Sequence, residues 1–173
     1  IQILHMKRRD MEGETITVGD RTVQLGSSLA RDQHGKTYAV QDEQLMAVKI
    51  FDNDDRRELV RKTEAMVGNP PNKIATTQGV TLSIQWPHEI VEDTETGTKF
   101  GCAIPIPDTG SKKDVLQHAV QNLNWNRSTP NERYEIALNL ANIVSAIHQQ
   151  GHAIGDFNHR HVLIGEHSIT VRN

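Results

Sequence analysis

A chain of 173 residues with 36% hydrophobic and 24% charged residues has the size and balance of one ordinary globular domain, and its seven aromatics leave a mainly aliphatic core. A net charge of −3 spreads no strong field, so neither nucleic acid nor an anionic membrane surface is indicated as a partner. The single cysteine, Cys102, has no internal disulfide partner, and no apolar run reaches the length of a bilayer span; both point to a soluble, reducing, cytoplasmic setting.

Residues 1–14 read as an N-terminal extension. From Thr15 the chain alternates apolar and polar residues in four runs, TITV, TVQLG, KTYAV and LMAVKIF, separated by the turn-forming GDR, RDQHG and QDEQ, which predicts a small antiparallel sheet. In the last run the period of two puts Met46, Val48 and Ile50 on one face and Ala47, Lys49 and Phe51 on the other. Residues 54–67 have helical character, with Leu59, Thr63, Met66 and Val67 on one side and Gly68-Asn69-Pro70-Pro71 as the stop. Further strands are expected at TLSIQW, HEIVED and TKFGCAIPIP, the last two joined through ETG, with a boundary near Pro105 to Gly110.

Beyond that boundary the pattern is helical, weakly over 112–123 and strongly over 130–150. Thr129, Pro130 and Glu132 form a helix start, Ala137, Leu140, Ala141, Val144, Ile147 and His148 a stripe, and Gly151 a stop. The irregular GDFNHRH follows, then VLIG and SITV as strands.

A β-rich half carrying a lysine strand and one helix, then a hinge, a long helix and a loop with an aspartate, resembles the protein kinase fold. AVKI at 47–50 looks like the third-strand motif of that fold, KTEAM like the helix that follows it, and IGD-x-N within HAIGDFNHRHVLI like the catalytic loop. With NPP at 69–71, WP at 86–87 and a glycine-bearing strand ending at Pro105, the combination is similar to a bacterial Ser/Thr kinase-like subfamily. It covers nearly the whole chain, from about Thr15 onward. The resemblance implies an α+β architecture: an antiparallel β-rich N-lobe over 15–107 with one helix, a hinge near 103–107, and a partial helical C-lobe over 108–173.

It also implies roles. Lys49 would hold the α- and β-phosphates of ATP, and Glu64, preferred over Glu58 because it adjoins the apolar face, would hold Lys49. Gly35 would be the surviving glycine of the phosphate-covering loop, whose other two glycine positions fall on Ala30 and Asp32. Ala47, Ala103, Ile104 and Ile106 would line the adenine site at the hinge. Asp156 would accept the proton of a Ser or Thr hydroxyl on a protein substrate, supported by Asn158, and His161 would stand where the Mg2+-binding asparagine belongs. An imidazole is a poorer Mg2+ ligand than an oxygen, and the D-F-G aspartate would follow Asn173. This chain alone is therefore expected to be inactive, with an exposed apolar face open to self-association, and a nucleotide- or partner-binding pseudokinase is the alternative.

Two other readings compete. Ala30 to Thr37 matches A-x-x-x-x-G-K-T, a permissive P-loop of an NTPase, although KTYAV reads as a strand where a P-loop opens a helix. His152, His159, His161 and His167 cluster around the same loop, but without a cysteine or H-E-x-x-H spacing they are better read as loop histidines than as zinc ligands.

Overall fold

The computed structural model describes residues 10–71, 74, 81–106, 129–155, 157, 161–165 and 168–172. The chain divides into two compact units, one formed by Ile1–Gly68 with Pro87–Pro105, the other by Asn69–Trp86 with Ile106–Asn173.

The first unit contains β1 (Thr15–Val18), β2 (Arg21–Arg31), β3 (Gly35–Val40), β4 (Glu43–Phe51), α1 (Arg56–Gly68), β6 (Glu89–Asp93) and β7 (Lys99–Pro105). The strands close into a barrel in the order β1-β2-β3-β4-β7-β6, antiparallel at every step. The small antiparallel sheet expected from the sequence closes into a ring, because β1 pairs with β2 on one side and with β6 on the other, Val18 facing Val91. Alternation points Ile16, Val18, Leu25, Tyr38, Val48 and Val91 into the interior, each no more than 1% exposed. Gly19 and Gly97, with φ of 57° and 66°, make the β1–β2 and β6–β7 turns that the sequence punctuated with GDR and ETG.

Helix α1 begins where the Asp55 carbonyl accepts the Leu59 amide. It buries Val60 and Thr63, and packs Val60 with Leu59 against Phe51, Cys102 and Ile104 on the outer face of the barrel. Two glycines let β4 be gripped from both sides. A Cβ on Gly35 would collide with the Ile50 carbonyl oxygen, and one on Gly101 with the Lys49 carbonyl oxygen. Neither strand could approach β4 this closely with any other residue.

The second unit contains β5 (Thr81–Gln85), α2 (Pro130–Gln149), β8 (Val162–Gly165) and β9 (Ser168–Arg172). Its sheet has the order β5-β9-β8. Strand β5, whose sequence reads as one of a series with the two strands after it, instead runs parallel to β9, Leu82 beside Ile169 and Ile84 beside Val171. The helix starts at Pro130 as the sequence requires, but its buried line is Asn139, Ile143, Ala146 and Ile147. Ala137, Ala141 and His148 of the expected stripe are exposed. At the C-terminus Gly151, with φ of 77°, closes a Schellman motif: its amide donates to the His148 carbonyl and the His152 amide to the Ile147 carbonyl. The helix expected at 112–123 lies outside the described residues. Tyr134 and Leu138 are exposed apolar side chains of α2, and among the described residues no helix is long and apolar enough to cross a membrane.

Candidate functional site

On the first unit, strand register sets Thr37, Lys49 and Cys102 abreast across β3, β4 and β7, with Ala39, Ala47 and Ile104 forming the next row on the same outer face. Ala47 and Cys102 are buried, so small side chains flank the lysine. The Lys49 side chain is only 15% exposed, and its Nζ donates to Asp32 Oδ2 at 2.6 Å. Burial pushes the Cys102 thiol up to about 12, with Lys49 lowering it and Asp32 raising it, so the sulfur stays protonated beside the ammonium.

Asp32 belongs to the turn between β2 and β3. Its Oδ1 accepts the amides of His34 at 2.8 Å and Gly35 at 3.1 Å, an Asx-type turn that the sequence D-x-x-G allows. Its own amide donates to the Gly35 carbonyl at 3.0 Å. Burial alone would raise the carboxyl pKa, but Lys49 and the two amides outweigh it and hold the group below the ordinary aspartate value. The base of the turn is fixed separately, by Arg31 Nη2 reaching both carboxylate oxygens of Asp52 at 2.8 and 3.0 Å and by the Asp52 amide donating to the His34 carbonyl.

The expected pairing of Lys49 with Glu64 is not made in this structure. Glu64 lies one position around α1 from the buried Thr63, exposed, and accepts Lys99 Nζ at 2.6 Å. The rival Glu58 bonds Lys62 one turn along the helix. A step of 100° per residue explains the outcome: the line facing the sheet is Leu59, Val60 and Thr63, with no carboxylate on it. Gly35 sits at the start of β3, giving its amide to Asp32. Ala103 is buried in β7, its carbonyl accepting the His88 amide at 2.9 Å. Ile104 packs on the α1 cluster. The P-loop geometry is absent, because Lys36 and Thr37 lie in strand β3 rather than at a helix N-terminus, and Lys36 Nζ bonds Asp10 at 3.1 Å over the Tyr38 ring.

In the second unit Ile106 is buried, and His161 is half-buried immediately before β8. Asp156 and Asn158 lie outside the described residues. The loop that carries them leaves α2 through a bonded corner. Asn69 Nδ2 donates to the Gln150 carbonyl at 2.9 Å, His152 Nε2–H donates to the Asn69 carbonyl at 2.6 Å, and the Trp86 ring meets the His152 ring edge-on at 4.7 Å. These join NPP, WP and the residue after the helix stop, three segments that the sequence showed only as separate motifs. Among the described residues no group of three His, Cys, Asp or Glu side chains is placed to hold a metal ion.

No family model matches the chain, and no curated protein matches it in sequence. Among solved structures it is similar to vaccinia related kinase 3, with a TM-score of 0.63 and 15% identity, the likeness covering 96% of this chain and 52% of that one. The chain thus spans about half the length of that kinase. An identity this low speaks for backbone architecture alone. The chain has an α+β, protein kinase-like fold.

Proposed function

We propose that the chain is the nucleotide-binding part of a cytoplasmic, bacterial-type Ser/Thr kinase-like protein, whose longer form transfers phosphate from ATP to a hydroxyl of a protein substrate. The observation that carries this reading is Lys49: a cation withdrawn from solvent on the third strand of the sheet that follows β1, flanked by small side chains and reached by the β2–β3 turn. In a kinase-like fold that ammonium is suited to phosphate oxygens. On the first unit Ala47, Ala103 and Ile104 are assigned to adenine, Gly35 to the covering turn, and Glu64 to Lys49 if α1 adopts a second position. Asp156 is assigned to the substrate hydroxyl, with Asn158 beside it. Bound Mg2+ would neutralise the phosphates, and His161, an imidazole, fits that hard cation poorly. The role given to this chain's own side chains is therefore to bind and orient.

Calorimetry with Lys49→Ala checks the assignment. Loss of a charge-assisted contact is expected to weaken ATP binding by about tenfold, while adenosine, which lacks phosphates, binds as before. Equal ATP affinity in the two proteins would remove Lys49 from the site.

A second reading, a pseudokinase, is favoured by the Lys49–Asp32 pair, which leaves the lysine already occupied. Transfer of radiolabel from ATP separates the two. This chain is expected to show none, since His161 stands where a Mg2+-binding oxygen belongs and positioning alone supplies the smaller part of catalysis. A longer form that turns over only with Asp156 intact, and not as Asp156→Asn, would establish the enzyme.

A further inference from the structure

We propose that Asp32 determines which ligands the Lys49 site accepts: it holds the ammonium in the manner of a bound phosphate, so that a polyphosphate can enter only by displacing it. This rests on the reading of Lys49 as the phosphate-binding lysine. The carboxylate uses the donors that a phosphate oxygen would use in such a site, one ammonium and two backbone amides: Lys49 Nζ at 2.6 Å, His34 N at 2.8 Å and Gly35 N at 3.1 Å.

The order of the two side chains supports the same assignment. Lys49 is 15% exposed and Asp32 52%, so the carboxylate caps the ammonium from the solvent side. The lysine's register neighbours, Thr37 and the protonated Cys102, bring no competing negative charge. Because Arg31 and Asp52 fix the base of the turn independently, Asp32 can leave Lys49 by rotating its side chain while β2 and β3 stay paired. Even displaced, the carboxylate remains a like charge beside incoming phosphates. The site in its resting form suits a nucleoside, or a ligand uncharged at this end, better than a triphosphate.

Asp32→Asn removes the charge and keeps an oxygen for the His34 and Gly35 amides. Two measurements are made on the full chain. By calorimetry, Asp32→Asn is expected to bind ATP at least about tenfold more tightly than the parent, adenosine within about twofold, with the gain lost in Asp32→Asn/Lys49→Ala. By mass spectrometry, the acylation of Lys49 by a sulfonated succinimidyl acetate is followed with and without tripolyphosphate, and tripolyphosphate should protect Lys49 in Asp32→Asn only. Where the parent binds ATP, unchanged or weaker ATP binding in Asp32→Asn overturns the proposal, as does equal tripolyphosphate protection in both proteins in any case; if adenosine still binds, nucleotide binding survives that result. Protection confined to Asp32→Asn, with neither adenosine nor ATP binding to any variant, upholds the role of Asp32 and removes the nucleotide reading instead.

Discussion

Replacing Gly101 with alanine is expected to destabilise the barrel by about 3 kcal/mol, the upper part of the range for forcing atoms into a packed site. The new methyl would fall on the carbonyl oxygen of Lys49, a backbone atom held by pairing on both sides, so no flexible side chain can yield. Gly35→Ala meets the Ile50 carbonyl from the opposite strand and should behave alike. Gly68→Ala is the control: it has open space, no positive φ and a helix-terminal position, and is expected to be neutral or to stabilise by up to about 1 kcal/mol. Urea midpoints of the three variants decide the matter. A Gly101→Ala midpoint equal to that of the parent would mean that β7 can part from β4 without cost, and Lys49 would lose its fixed floor.

Truncating Ile143 to alanine should cost about 2–5 kcal/mol, as for other fully enclosed aliphatic side chains. It is 0% exposed on α2, the helix that packs on β5 and β9. Ala141→Ser, on the exposed side, is expected to stay within about 0.5 kcal/mol. Loss of the helical circular dichroism signal in urea measures both. If Ala141→Ser proved the more damaging, the buried face assigned here would be the wrong one.

That contrast shows where sequence reasoning reached and where it stopped. The limits of α2 were legible, because Pro130 and Gly151 act through their own backbones. Its face was not: alanines and aliphatics occur all round the helix, and the buried line contains Asn139, a polar residue that an apolar-stripe search discards. Strands β3, β4 and β7 followed from alternation and turn residues. The ring closure did not, since β1 meets β6 some 77 residues away and nothing local in TITV names its second partner.

The site divides along the same line. Lys49 was legible from its strand and from the order of motifs around it. Its partner was assigned to α1, but the structure supplies it from the β2–β3 turn, where D-x-x-G could have been read as an Asx turn aimed at the neighbouring strand. The sequence placed Asp32 in the phosphate-covering turn without a partner. Choosing between Asp32 and Glu64 required knowing which side of α1 faces the sheet, a rotation of 100° that motif spacing cannot resolve.

Closure of the barrel bears on how the first unit meets other chains. An open sheet ends in strands whose free amides and carbonyls can recruit a foreign strand, and proteins must shield them with charge, proline or a bulge. In the ring β1-β2-β3-β4-β7-β6 every strand has two bonded neighbours, β2 meeting β1 over Arg21–Gln24 and β3 over Leu25–Arg31, so no strand of the ring is left with a single partner. Strand β1, only four residues long, supplies that second partner to both β2 and β6.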